Sequence, residues 1–408
     1  MPAGSFGPFT GTRFRAAARA LVGVAHVTPL LASQTFSRMA GCRVALKCEN
    51  LQRAGSFKVR GAAVRMRALA PRERARGVVA ASAGNHAQGV ALAAARAGIR
   101  ATVVMPLHTP IAKVAATEGY GARVILHGES YDDALARACQ VAAGAGAALI
   151  PAFDDPLVIL GQGTVGLEIL AQAPACDAIV APVGGGGLIA GIALAVRRVR
   201  PRVRVYGVQA AGAAAFARSL ARRRIMGSGT PRTIADGIAV RRPGEVTFPI
   251  VQREVEDVVT VDDEEIAATL VLLLERAKLL AEGAGAAALA ALLYGRLPLA
   301  GKSVVAVVSG GNIDSNILSR LLDKGLAKAG RYLALEVPLA DRPGALRDLL
   351  SVVAGERANV ISVNHDRLDP RVAVDRVEVA LTVEVRDRAH GHRLLRALAA
   401  RGYRARRT

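Results

Sequence analysis

Tryptophan is absent from the 408 residues, and aromatic side chains make up only 3% of them. Base-stacking platforms for nucleic acid need aromatic rings beside basic side chains, so the formal net charge of +21 has no such platform, and no nucleic-acid-binding motif accompanies it. The arginines are scattered through alanine-rich segments, with only local groups such as Arg222-Arg223-Arg224 and Arg404-Ala405-Arg406-Arg407. They read as solvated surface, and no nucleic-acid partner is expected. Cysteine is scarce: Cys42, Cys48, Cys139 and Cys176 lack metal-ligand spacing, which excludes a disulfide framework and suits a reduced cytoplasm. Long apolar runs are missing too. The longest stretch without charge, Ala178 to Val196, is interrupted by Pro182 and four glycines, so it reads as a buried strand and helix rather than a membrane span. Met1 to Arg13 lacks the basic, apolar, small-residue order of a secretory signal, and a cytoplasmic protein is expected.

What is present is a hydrophobic share of 52%, enough for a large core and two or three domains. Strand-like and helix-like runs alternate. Val78 to Ala81 precedes Ala87 to Ala97, Thr102 to Met105 precedes Ile111 to Glu118, and Val124 to Leu126 precedes Tyr131 to Ala143. The pattern continues through Leu149 to Phe153, Gly166 to Ala171, Ala178 to Val183, Val203 to Gln209 and Val304 to Ser309. It predicts an α/β fold of mostly parallel sheets covered by helices, whose ligands bind beyond the strand C-termini. After Arg331 the order becomes βαββαβ: strands at Tyr332 to Leu339, Asn359 to Asn364, Val377 to Val385 and from Tyr403, helices from the Asp341-Arg342-Pro343-Gly344 turn to Ala354 and from Ala389 to Arg401. That is a ferredoxin-like module. The boundary is expected at Lys328-Ala329-Gly330, giving parts 1–330 and 331–408 with a smaller lobe at roughly 54–150 inside the first.

Lys58 carries the chemistry. The strand-length run Val44 to Cys48 comes before it, and helical spacing of Val59, Ala62, Met66 and Leu69 follows. With Ser56 as the helix N-cap, the Lys58 amine falls in the first helical turn, where the helix dipole disfavours an ammonium. A neutral amine forms Schiff bases. A loop lysine alone is usually a solvated surface group, and the glycine run Gly184-Gly185-Gly186-Gly187 alone is usually a mobile turn. Together they mean more: a strand, four glycines and a helix aim backbone amides at an anion such as phosphate. Ser309 and the turn Ser82-Ala83-Gly84-Asn85-His86 each follow a strand as well, so all can face one cleft.

These residues carry a resemblance. Ser56-Phe57-Lys58, Ser82 to Gly89, Gly161-Gln162-Gly163-Thr164, the tetraglycine loop, Thr233-Ile234-Ala235-Asp236-Gly237 and Ser309-Gly310-Gly311-Asn312 resemble the threonine dehydratases (threonine ammonia-lyases), pyridoxal-phosphate enzymes of fold type II. The module after residue 330 resembles a single ACT domain. The resemblance implies pyridoxal 5'-phosphate on Lys58, which would also remove the substrate α-proton. It implies Gly184, Gly185, Gly186, Gly187 and Leu188 around the phosphate, Asn85 on the ring's phenolic oxygen, Phe57 beneath the ring and Ser309 facing the ring nitrogen. Ser82, Ala83, Gly84, Asn85 and His86 would take the substrate carboxylate. Ser82 can equally be a helix cap, His86 reads better as structural than as a proton carrier, and Glu282 as a helix-start carboxylate. Asp236 and Thr164 read as turn and cap residues and stay outside the site.

The implied reaction is L-threonine to 2-oxobutanoate and ammonia, with L-serine as a slower substrate. Serine or 3-hydroxyaspartate dehydratase, a β-replacing synthase, and a non-catalytic amino-acid sensor built on the ACT module are the alternatives. The related serine racemases have a second serine where this chain has Ala83, so efficient racemisation is not expected. They also bind a divalent cation through carboxylates after a strand like Val203 to Val208; here Gln209 to Ala215 offers none, so no divalent metal is expected, while a monovalent cation held by carbonyls stays open. An amino-acid or AMP effector and a homodimeric or homotetrameric assembly complete the expectation.

Overall fold

A computed structural model describes residues 9–328, 330–366, 373 and 375–407. Met1 to Pro8, part of the segment screened for a leader, and Ala329, inside the expected boundary, lie outside the described residues. The chain divides into two compact units, Met1–Ser315 and Asn316–Thr408, and the helix Ser315–Lys328 goes almost wholly with the second.

Among the described residues, the strands are β1 (Leu30–Ser33), β2 (Arg43–Cys48), β3 (Val78–Ala81), β4 (Ala101–Met105), β5 (Arg123–Leu126), β6 (Ala148–Leu149), β7 (Ala178–Pro182), β8 (Arg204–Ala210), β9 (Asp257–Val261), β10 (Ser303–Val308), β11 (Tyr332–Ala340), β12 (Asn359–Asp366), β13 (Arg376–Glu384) and β14 (Arg406–Arg407). The first unit holds two sheets. One has the order β1-β2-β10-β7-β8-β9 and is parallel apart from the β1–β2 edge; the other, β5-β4-β3-β6, is parallel throughout. Central strands such as β3 and β7 are buried along their whole length, because helices cover both faces and no face is left for polar alternation. Glycine lets two of the covering helices pack closely: a Cβ on Gly163 of Pro156–Gln172 would lie 2.6 Å from the Gly191 carbonyl of Gly187–Val199, and both helices belong to the core against the larger sheet.

Local signals set the helix ends. Asp155 caps Pro156–Gln172 with Pro156 in the first turn, and Ser130 with Asp133 forms a capping box before Tyr131–Ala145, which ends at a left-handed Gly146. The expected cap at Ser56 is not made. Ser56 is extended and bridges Gly310, so Phe57 takes the N-cap position of helix Lys58–Arg67 and supplies no side-chain hydrogen bond. A long-range backbone pairing wins over the local cap. Leu149 to Phe153 also forms less strand than its pattern predicts: β6 stops at Leu149, before Pro151, which has no N–H for a ladder.

The second unit has an antiparallel sheet, β12-β13-β11-β14, with helices Ala345–Gly355 and Arg388–Ala400, in the predicted βαββαβ order. Its apolar core joins alternating positions of β11 and β13 to Leu349, Val353, Leu394 and Leu398 of the two helices. The last strand begins at Arg406 rather than Tyr403.

Candidate active site

Four parallel strands of the first unit deliver the site from their C-terminal ends: β2 leads to Lys58, β3 to the Ser82 turn, β7 to the glycine loop and β10 to Ser309. They enclose a cavity of about 620 Å³. Every residue that the sequence places in the site lines it: Phe57, Lys58, Ser82 to His86, Gly184 to Leu188 and Ser309.

Lys58 is the first residue of its helix, as the pattern requires, and its Nζ donates to the Ala152 carbonyl at 2.8 Å. The amine lies 5.3 Å from the Phe57 ring centroid. Burial pulls its pKa down to about 8, against the opposing pull of the Glu282 carboxyl. So the amine reaches its neutral, nucleophilic form close to neutral pH.

The glycine loop is tight for steric reasons. A Cβ on Gly185 would enter the Phe153 ring, one on Gly187 would lie 2.9 Å from the Phe153 Cβ, and Gly186 has φ of +94° with Phe216 2.7 Å from its missing Cβ. The loop therefore presses its glycines onto Phe153 and Phe216. Helix Gly187–Val199 makes its first intrahelical bond from Ala190 N to Gly186 O, so the amides of Gly187, Leu188 and Ile189 have no acceptor within the helix. That is the donor set an anion needs.

Asn85 begins the helix Asn85–Ala97; its Nδ2 donates to Glu282 Oε1 at 2.6 Å and its Oδ1 accepts from Asn312 Nδ2 at 2.9 Å. Glu282 is buried, and desolvation with the nearby Asp236 charge raises its pKa to about 8. His86 faces inward with Nε2 2.8 Å from the Ile150 carbonyl, which makes Nε2 the donor. Burial and the Lys58 charge push its pKa down to about 3. It is a neutral structural imidazole. Ser82 Oγ accepts the Gly84 N–H at 3.1 Å and does not cap the helix, whose N-cap is Gly84. Ser309 is 2% exposed, and its carbonyl accepts the Phe57 N–H at 3.2 Å.

Asp236, set aside on the sequence, also lines the cavity and pairs with Lys113 at 2.7 Å; Thr164 is buried outside it. Sequence reasoning missed three contributors. The Ala152 carbonyl is a backbone group and leaves no trace in composition, and Phe153 belongs to no motif. Asn312 stands in the Ser309-Gly310-Gly311-Asn312 segment, and its partnership with Asn85 is a tertiary fact.

An amine-bearing wall, an anion cradle at a helix start and a buried hydroxyl at Ser309 fit pyridoxal phosphate, with glycines where any Cβ would break the cradle. Fold and site together define an enzyme of the pyridoxal-phosphate class. Residues 23–310 match the family described as pyridoxal-phosphate dependent enzymes, and residues 330–401 match the ACT domain. Within that class the chain belongs to the L-threonine ammonia-lyase family: it is 47% identical over 390 residues to the L-threonine ammonia-lyase of Thermotoga maritima, covering 96% of this chain and 97% of that one. The solved processed form of threonine deaminase isoform 2 from Solanum lycopersicum is similar at 36% identity with a TM-score of 0.73, over 79% of this chain and 90% of that one. Maize serine racemase is similar at 36% identity with a TM-score of 0.74, over 78% and 98%. No helix among the described residues is long and apolar enough to cross a membrane.

Proposed function

We propose that this protein deaminates L-threonine to 2-oxobutanoate and ammonia by α,β-elimination of water, with slower turnover of L-serine to pyruvate. The observation that carries this reading is the Lys58 amine, brought to a pKa of about 8 on the wall of a cavity that it shares with the glycine cradle. Pyridoxal phosphate, when bound, delocalises negative charge from the substrate α-carbon. Lys58 would hold the cofactor and would take the substrate α-proton, a task suited to a base that titrates near the working pH. Gly184 to Leu188 would receive the phosphate, and Phe57 would pack against the bound group. Asn85, oriented by Asn312 and Glu282, would donate its remaining N–H to the ring's phenolic oxygen. Ser309, on the cavity wall, would face the ring nitrogen, and its neutral hydroxyl would bring no negative charge to hold that nitrogen protonated, a setting that would favour elimination over transamination. The turn from Ser82 to His86, at a helix N-terminus, would take the substrate carboxylate, with the Ser82 N–H already given to the Val104 carbonyl and the Gly84 N–H to Ser82 Oγ. The released enamine tautomerises and hydrolyses to the 2-oxo acid and ammonia.

We assign this chemistry to residues 1–330 and regulation to the ACT module of residues 331–408, which takes an amino acid such as isoleucine or valine, or AMP. A homodimer or homotetramer in a reduced cytoplasm fits the free cysteines and the module. Borohydride reduction followed by peptide mapping tests the core assignment, with label expected on Lys58 and 2-oxobutanoate formation from threonine abolished in Lys58→Ala. A label on another lysine, or normal turnover by Lys58→Ala, overturns it. Binding isotherms for isoleucine and AMP, with the intact chain and a chain ending at residue 328, identify the effector and its domain.

A further inference from the structure

Directly behind Lys58 lies a cluster of buried charge that the chemistry above does not use. Arg60 follows two positions later on the same helix, 1% exposed and turned away from the cavity. Its guanidinium forks onto two carboxylates: Nε and Nη2 donate to Glu49 at 2.8 Å each, and Nη1 and Nη2 to Glu168 at 2.5 and 2.9 Å. Nη1 also reaches Thr164 Oγ1 at 3.1 Å, and Nη2 the His26 carbonyl at 3.0 Å. Lys47 closes the cluster through Glu168 at 2.6 Å, so two cations balance two anions. Glu49 is fully buried, and the Arg60 charge beside it holds its carboxyl below the usual range despite desolvation. Such a fork is geometrically exacting, because a planar guanidinium matches two carboxylates in one orientation only.

The Gly161 to Thr164 segment, which stands outside the cavity, is the other half of the seat. A Cβ on Gly161 would lie 2.5 Å from the Arg60 carbonyl, and one on Gly61 would strike the Gln162 amide, so the two helices touch backbone to backbone. Gln162 Oε1 accepts the Gly61 N–H at 3.2 Å, and Thr164 Oγ1 donates to the Gly161 carbonyl at 2.6 Å while receiving Arg60. The helix start itself has no side-chain cap. Something else must fix the rotation of its first turn, and successive residues of a helix are rotated by about 100°.

We propose that Arg60 is the positioning residue for Lys58: docked in the seat made by Glu49, Glu168 and Thr164, it sets the rotation of the uncapped first turn and so aims the amine into the cavity. The proposal rests on the reading of Lys58 as the cofactor lysine. Arg60→Lys keeps the charge and loses the two forks, so the first turn loses its side-chain anchor while the Gly61 contacts to Gly161 and Gln162 and the charge balance of the cluster stay. A displacement of the reacting amine by about 1 Å is enough for roughly a hundredfold loss of turnover.

The test uses the full-length chain loaded with pyridoxal phosphate. In Arg60→Lys, kcat for threonine should fall by about a hundredfold with KM little changed, since substrate contacts are untouched. The visible circular dichroism per bound cofactor, which reports the geometry of the lysine linkage, should fall with it. Thr164→Val, a milder change that removes one contact to Arg60, should show the same pair of effects at smaller size, and serves if Arg60→Lys does not fold. Leu270→Ala, a core truncation at a residue that does not line the cavity, is the stability control and should lower the melting temperature without altering the dichroism. Arg60→Lys and Thr164→Val with wild-type dichroism and kcat, behaving only as Leu270→Ala does, would overturn the proposal. If the wild-type borohydride label maps away from Lys58, the cofactor assignment falls and this proposal falls with it; a label on Lys58 beside unaltered dichroism in both variants sinks this proposal alone.

Discussion

Asn85 and Glu282, 197 positions apart in the chain, share a 2.6 Å hydrogen bond from Asn85 Nδ2 to Glu282 Oε1. Asn312 fixes the amide's other end, so Asn85 keeps one N–H for the cavity. The carboxyl that orients it is itself buried and holds a proton up to about pH 8. Below that pH the bond joins two neutral groups.

Glu282 should make the protein less stable as pH rises. Its folded-state pKa of about 8 stands above the ordinary 4.5, so the folded chain carries an extra proton between those values. The stabilisation is complete below about pH 4.5 and is lost as pH rises through 8, at up to about 1.4 kcal/mol per pH unit. Lys58, depressed from 10.5 to about 8, acts with the opposite slope and only above pH 8. Chemical denaturation from pH 5 to 8 should show Glu282→Gln losing less stability than wild type; parallel curves would refute the assignment.

Gly185→Ala should weaken cofactor binding. The new methyl meets the Phe153 ring, and overpacking of about 1–3 kcal/mol corresponds to roughly a tenfold to hundredfold loss of affinity. Equilibrium dialysis of pyridoxal phosphate against the variant measures it. Wild-type affinity would mean that the loop yields without disturbing the cradle.

Ala83→Ser should let serine change hand. Ala83 lines the cavity and brings no acid or base to it. A hydroxyl at this position supplies a proton carrier, and such groups contribute about a hundredfold or more when well placed. Chiral chromatography of serine left after partial turnover should show D-serine rising at least about tenfold over wild type. No increase would place the proton-donating face elsewhere.

His86 should leave the activity profile unmarked. Held neutral with a pKa of about 3, it does not titrate between pH 6 and 8, and His86→Gln should retain the shape of the kcat profile there. Its signature is in stability instead. The depressed pKa contributes stability that is lost as pH falls from about 6.5 towards 3, so His86→Gln should flatten the acid limb of an unfolding curve. A wild-type inflection in kcat near pH 6.5 that vanishes in the variant would contradict this.

Much of the site was readable in the chain because its parts are local. The Ser82 turn, the glycine loop and Ser309 each sit just past a strand that its own apolar run announces, Lys58 follows β2 after two short turns, and parallel sheets bring strand ends together. What stayed hidden depends on partners far away in sequence. Ser56 has the composition of a cap, but Gly310 claims its backbone. Glu282 has the position of a helix-start carboxylate, yet burial beside Asn85 gives it a cavity role. Arg60 looks like any helical arginine until Glu49, Glu168 and Thr164 surround it.

The Asn312 amide that steadies Asn85 also donates to the Ala54 carbonyl at 2.7 Å, across 258 positions. This sets an order of events during synthesis. The turn that presents Lys58 leaves the ribosome early, but its last tether is translated only after β10. Contacts of such separation form late and slowly. A nascent chain that ends before Asn312 therefore holds an unfinished pocket, and the cofactor is taken up securely only once nearly the whole first unit has been made.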